Sequence, residues 1–384
     1  MKGISDMENE KHIPRSRDKL LFTPGPLTTS STIKRAMLHD LGSRDFDFIG
    51  LVKDIRCRLL DLGEVESPNY ESVLMQGSGT FCLEAVVSST VPPQGKLLVI
   101  INGAYGHRIA QIARLLKVEN VTLTYDEDQK PDLAEIEATL AEDDAICQVA
   151  IVHLETSTGI INPIKEIGAV VKGLGRQYFV DAMSSFGAIP INLSECKIDF
   201  LVSSANKCIE GVPGFGFILA DRTALLETSG YARSLSLNLL AQWDGLEANG
   251  QFRFTPPTHA ILAFHQALLE LETEGGVIGR AERYRANYET LMTGMRAMGF
   301  QEYLKPGDQS YIIVSFRYPS HPRFDFLEFY SRLRDKGFVI YPGKTSKADC
   351  FRIGCIGRIF PSDMSTLLAA IRETLMEMQV DLRL

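Results

Sequence analysis

Long apolar runs are missing: no stretch of the 384 residues approaches the roughly 20 that a membrane-spanning helix needs. The opening segment MKGISDMENEKHIPRSRDK has no apolar core of the kind a secretory leader carries, so a disordered tail is expected over residues 1–18. Cysteine is scarce and scattered. The seven residues Cys57, Cys82, Cys147, Cys196, Cys208, Cys350 and Cys355 form no Cys-x-x-Cys pair and no Cys/His spacing suited to zinc. No metal is therefore expected, and reduced thiols in a cytoplasmic setting are. Runs of lysine and arginine are absent too, and 48 acidic against 40 basic residues leave a net charge of -8. That balance argues against nucleic acid or an anionic membrane surface as the main partner.

What is present is an ordinary globular composition, 45% hydrophobic and 23% charged, on a chain long enough for a large and a small domain. Between residues 70 and 220, short β-rich runs alternate with helical patterns, the signature of an α/β layer. Strands are expected at 71–76, 96–101, 120–125, 147–154, 177–182, 199–204 and 216–220. Several are apolar throughout, as strands covered on both faces should be. The intervening HRIAQIARLLK and IKEIGAVVKGLG space apolar residues three and four apart, as amphipathic helices do. A long helix from Thr258 to about Glu272 and another through ERYRANYETLMTGMRAMG follow. The remainder reads as strand SYIIVSF, helix DFLEFYSRLRDKG, strand FVIYPG, strand CFRIGC and a closing helix. The expected organisation is α/β, with a large domain over 19–272, built on a mostly parallel seven-stranded sheet, and a smaller α+β domain over 273–384. The N-terminal segment is free to pack on the smaller one.

Four features fall where strands end, which is where open α/β sheets hold ligands. QGSGTFCLEAVV puts Ser78, Gly79 and Thr80 between a strand and a helix, as a phosphate cradle or merely a tight turn. It lacks the third glycine of a dinucleotide fingerprint and the Gly-Lys-Ser/Thr end of a P-loop. In INGAYGHR, Tyr105 stands between glycines that leave its face open to a planar group, though a packed tyrosine is the commoner outcome. Asp181 closes the apolar strand of YFVDAMSSFG, where a carboxylate is costly unless it meets a cation or a donor or caps a helix. Lys207, in SSANKCIEGVPGFGFILA, interrupts a small-residue stretch at the end of the next strand. An Asp–Lys ion pair would explain those two alone. The four together are the parts that pyridoxal phosphate requires: an amine for a Schiff base, a carboxylate for the pyridine nitrogen, an aromatic ring and a phosphate turn.

From Leu21 to Met378 the sequence resembles the class V, fold-type I pyridoxal-phosphate aminotransferases. The segments that carry the resemblance are LFTPGPLTTS, LMQGSGTFCLEA, NGAYGHR, HLETSTGIINPI, VDAMSSFGAIPI, SSANKCIEGVPGF, RFTPPTHAILAFHQAL, GFVIYPGK and CFRIGCIG. The resemblance implies pyridoxal 5′-phosphate as cofactor, with Lys207 holding it covalently and Asp181 meeting its ring nitrogen. Ser78, Gly79 and Thr80 take the phosphate, Tyr105 stacks, and Ser157 and Asn206 are further candidate contacts. It also implies a homodimer in which Thr255 reaches the partner subunit's phosphate, and Arg352 as the anchor for the substrate's anionic end. Within the family, the likeness is greatest to the branch that moves an amino group from 2-aminoethylphosphonate to pyruvate. The alternative is exchange of the alanine–glyoxylate or serine–pyruvate type. A cysteine desulfurase would need a thiol on a mobile loop, whereas Cys350 and Cys355 flank a strand. An NAD-dependent enzyme would leave Lys207 unexplained, and an inactive scaffold would not be expected to keep both Lys207 and Asp181.

Overall fold

A computed structural model of the protein describes residues 18–382, so the expected tail lies outside the described residues except for Asp18. Seven strands form the main sheet: β1 (Tyr70–Gln76), β2 (Lys96–Ile101), β3 (Glu119–Thr124), β4 (Ile146–Val152), β5 (Gln177–Asp181), β6 (Phe200–Ser204) and β7 (Phe215–Asp221). Their order is β1-β7-β6-β5-β4-β2-β3, and β7 alone runs antiparallel to its neighbours. This is the mostly parallel, helix-covered seven-stranded architecture expected from the sequence.

The burial pattern explains why the sequence was readable here. Val73, Leu74, Leu98, Val99, Ile151, Phe179, Val180, Leu201 and Val202 have no exposed surface. Burying each such side chain contributes roughly 1.5–3 kcal/mol before chain entropy is counted. Edge strand β3 is the exception, with alternating partly exposed residues and a charged Glu119 at its start, as an unpaired edge requires. Helix α1 (Gly79–Thr90) follows β1 and helix α2 (Ala104–Leu115) follows β2. Strands β1, β2, β4, β5 and β6 run in one sense, so all their C-terminal ends lie on a single edge of the sheet.

Two main hydrophobic cores divide most of the remaining packing. One gathers residues from Ile33 to Leu271 around the large sheet. The other joins Phe22 to residues from Leu291 to Val380 around a sheet of β8 (Ile313–Arg317), β9 (Tyr341–Pro342) and β10 (Cys350–Gly354). Helix α3 (Gly276–Met298) runs between them. Its start, six residues ahead of the expected ERYRAN segment, was hidden behind Gly275 and Gly276, residues that weaken a helical pattern. FVIYPG is not one strand. Phe338–Val339 pairs in parallel with Leu20–Leu21, whereas Tyr341–Pro342 pairs with β10.

Candidate active site

The strand ends of the large sheet enclose a cavity of about 160 Å³ lined by Ser78, Gly79, Thr80, Tyr105, Asp181, Asn206 and Lys207, among others. Seven of the residues singled out from sequence thus meet in one place. Ser78 occupies the N-cap position of α1 without a side-chain capping bond, so the first N–H groups of that helix and its positive dipole end are available to an anion.

Asp181 is 2% exposed and accepts from the Met183 amide at 2.9 Å. Burial pushes its carboxyl up to about 6, although the Met183 amide, Arg108 and Lys207 each pull it down. A buried carboxylate of this kind awaits a cationic partner. Burial likewise lowers the Lys207 amine, only partly opposed by Tyr105, Cys208 and Asp181. The amine donates to the Pro24 carbonyl at 2.6 Å. Gly25, at φ +116°, is where the N-terminal segment passes Lys207: a Cβ there would lie 2.8 Å from Lys207 Cδ and 3.0 Å from the Asn206 carbonyl oxygen. The chain therefore needs glycine at that crossing on two counts, backbone conformation and space.

Several residues that complete the site were not picked out from sequence. Glu155 is wholly buried; its carboxylate accepts from the Gly106 amide at 2.7 Å, the Tyr105 amide at 3.2 Å and the Ser157 hydroxyl at 3.3 Å. It thereby supplies the cap that Gly103, at the head of α2, cannot. The approach is so close that a Cβ on Gly103 would sit 2.5 Å from the Glu155 carboxyl carbon. Burial pushes Glu155 up to about 7 against the pull of those amides. Arg108, one turn along α2 from Tyr105, lies over that ring at 4.8 Å and has Nη1 3.5 Å from Thr80 Oγ1. The i, i+3 spacing of Tyr105 and Arg108 was the available signal. The Ser204 hydroxyl, at the end of β6, is buried without a hydrogen-bond partner.

Three predicted residues stand apart from the cavity lining. Ser157 is buried and engaged with Glu155. Arg352, on β10, is 3% exposed and reaches toward Tyr105 from the smaller core; it donates to the Thr156 carbonyl at 2.7 Å and the Pro342 carbonyl at 2.9 Å. Burial would raise the Tyr105 phenol, yet Thr156 and the charges of Lys207, Lys344 and Arg352 bring it below its ordinary value. Thr255 is exposed, beyond the end of β1, where the Gln76 side chain holds the Phe254 carbonyl at 2.7 Å.

An α/β sheet with a half-buried lysine, a buried carboxylate and a helix-end anion cradle on one edge fits a pyridoxal-phosphate enzyme, and the orphaned Ser204 hydroxyl and uncapped α1 suit that group. The family Aminotransferase class-V matches residues 35–346, and the chain belongs to that family. It is 52% identical over 358 residues, 93% of this chain and 97% of the other, to the 2-aminoethylphosphonate–pyruvate transaminase of Vibrio vulnificus. To the same-named protein of Syntrophobacter fumaroxidans it is 51% identical, over 93% of this chain and 96% of that one. Among solved structures, ureidoglycine–glyoxylate aminotransferase from Bacillus subtilis superposes with a TM-score of 0.86 at 22% identity, covering 95% of both chains. Pyridoxamine–pyruvate aminotransferase from Mesorhizobium loti gives 0.85 at 23%, covering 95% of this chain and 94% of that one, and both likenesses speak for the fold. The chain is a pyridoxal-phosphate-dependent aminotransferase.

Proposed function

We propose that the protein transfers the amino group of 2-aminoethylphosphonate to pyruvate, giving phosphonoacetaldehyde and L-alanine. The observation that carries the chemistry is the meeting of half-buried Lys207 and buried Asp181 at the ends of adjacent strands in one cavity with the α1 anion cradle. The substrate pair is supported by the activity that relatives of 50–52% identity are named for.

Pyridoxal 5′-phosphate, when bound, supplies the electron sink for the carbanion and carries the amino group between the two half-reactions. Ser78, Gly79 and Thr80 would hold its phosphate, Tyr105 its ring face, Asp181 its ring nitrogen and Lys207 its carbonyl carbon, with Asn206 and Ser157 as further polar contacts. Asp181, as a buried carboxylate, would favour a proton on that nitrogen. On arrival of the donor, the Lys207 amine would be the group left free to act as a base. The Lys207 amine, already pulled toward its neutral form by burial, then takes the proton from the carbon that bears nitrogen. In the second half, Lys207 returns a proton to the carbon that becomes the α-carbon of alanine. Arg352 holds the anionic end in both halves, since a guanidinium suits carboxylate and phosphonate oxygens alike.

The working unit in this reading is a homodimer. Phe81, Leu235 and Phe254 are exposed large apolar residues beside the α1 cradle, linked through Gln76 and Arg253. Covering them with a second copy would bring Thr255 to the partner's phosphate. Seven thiols, none paired in a disulfide, support a cytoplasmic protein, and no helix among the described residues is long and apolar enough to cross a membrane.

The test is alanine formation by the purified protein with pyridoxal phosphate, pyruvate and 2-aminoethylphosphonate, run beside serine and other amine donors. Preference for the phosphonate is the expected result. Faster turnover with serine would move the function to the serine–pyruvate type and overturn the substrate assignment.

A further inference from the structure

The loop between β9 and β10 brings a second cation to the substrate side of the site. Lys344 extends from it so that Nζ lies 5.2 Å from the centre of the Tyr105 ring, which belongs to the opposite core. The loop is tied at both ends: Gly343 N–H donates to the Cys350 carbonyl at 2.8 Å, and the Thr345 hydroxyl donates to the Ala348 carbonyl at 2.6 Å. It is also bound to the large-sheet side, where Ser346 N–H donates to Glu127 at 2.8 Å and Lys347 pairs with Asp126. Lys347 therefore has a carboxylate of its own. Among the described residues, Lys344 has an aromatic ring and no ion pair.

We propose that Lys344 binds the donor's phosphonate together with Arg352, and that this second positive charge makes the site prefer a phosphonate to a carboxylate. The inference rests on the reading above that the donor carries a phosphonate. Its physical basis is charge. A phosphonate, like a phosphate monoester, carries about -1.5 to -2 near neutral pH, whereas a carboxylate carries one unit. Arg352 brings one positive charge and already spends Nε and Nη1 on the Pro342 and Thr156 carbonyls. A dianion held by that guanidinium alone would keep about one unit of charge uncompensated in a partly dry pocket, which is costly. Lysine is suited to the remaining charge, because its ammonium is a compact point charge on a flexible stem that needs no fixed planar geometry. A carboxylate in the other half-reaction is neutralised by Arg352 and gains less from Lys344.

The experiment compares holoenzyme carrying Lys344→Met or Lys344→Arg with wild type. Each amine donor, 2-aminoethylphosphonate or L-alanine, is mixed alone, and the concentration dependence of the cofactor's absorbance change is followed. Calorimetric binding of ethylphosphonate and propionate to the same proteins gives a readout independent of turnover. In Lys344→Met the half-saturating concentration of 2-aminoethylphosphonate should rise about tenfold or more, and its ratio to that of L-alanine by a similar factor. Ethylphosphonate should weaken relative to propionate, and Lys344→Arg should recover most of the loss. Equal weakening of both donors, or none, would overturn the role of Lys344 while leaving the substrate assignment intact. Wild-type enzyme that fails to react with 2-aminoethylphosphonate would overturn the assignment and the inference together.

Discussion

The two sides of the active site are built on different principles. On the large-sheet side, the chemistry sits at strand ends with main chain fixed by a seven-stranded ladder: Asp181 ends β5, and Lys207 follows β6 by three residues. On the smaller side, Arg352 stands on a three-stranded sheet and Lys344 on the exposed loop beside it. In the proposed mechanism the rigid side meets what is common to both half-reactions, the cofactor. The side carried on smaller elements then meets what changes between them, the substrate's anionic end. Division of this kind lets one set of groups stay preorganised while the other accommodates two shapes.

The largest test of that division is Lys207→Ala, which should reduce turnover by about 10⁴-fold or more and abolish the absorbance of covalently held cofactor, since general base and covalent anchor are lost together. Retention of both would remove Lys207 from the chemistry. Arg352→Ala should act on the other side only. It should raise KM for both substrates by about 10²-fold, in keeping with the loss of charge-assisted hydrogen bonds, and leave the bound-cofactor absorbance in place. Loss of that absorbance would show that the two sides are not separable.

Glu155 offers a subtler probe, because it stiffens the cofactor side without facing the cavity. Its carboxyl is raised by burial to about 7 from an ordinary 4.5, so in the unfolded chain it loses its proton at lower pH than in the folded protein. Stability contributed through this group therefore falls as pH rises from about 4.5 to 7 and is flat beyond. Glu155→Gln cannot titrate. The stability of wild-type apoprotein relative to this variant, measured by denaturant melts, should shrink by about 3 kcal/mol between pH 4.5 and 8. A constant difference would mean that Glu155 is ionised throughout. The smallest effect is expected on the substrate side: Lys347→Ala removes an exposed ion pair with Asp126 worth about 1 kcal/mol or less, so KM for 2-aminoethylphosphonate should rise no more than a few-fold.

The same division governs what the sequence makes legible. All seven strands of the large sheet fall within a residue or two of their expected positions; in all but the edge strand β3, burial on both faces writes a largely apolar run. The one extended furthest past its end is β4: the run CQVAIVHL continues beyond Val152, but the ladder stops there and Leu154–Glu155 turns to pair with Ile160–Ile161. Lys207, Asp181 and the glycine turn were visible because each breaks such a run. Glu155 was not, since it lies in the polar stretch ETST, where one more acid carries no contrast. Lys344 escaped notice because its meeting with Tyr105 joins residues far apart in the chain, whereas Arg108, one turn from that ring, reads locally as an ordinary solvated face of an amphipathic helix. Two-residue β-pairs, such as Phe338–Val339 with Leu20–Leu21, depend on tertiary contact rather than on local pattern.

That last pairing has a consequence for how the site is dimensioned. Leu20–Leu21 lies along Phe338–Val339, the Phe22 carbonyl accepts from Gly354, two residues beyond Arg352, and the Pro24 carbonyl accepts from Lys207. One short piece of extended main chain thus touches both the strand that bears Arg352, the proposed substrate anchor, and the Lys207 amine. The span between those two points is metered by peptide units, each about 3.3–3.6 Å long when extended, as a ruler is by its divisions. Side chains around it can be exchanged without changing the gauge; a single residue inserted between Phe22 and Pro24 would lengthen it by one whole graduation.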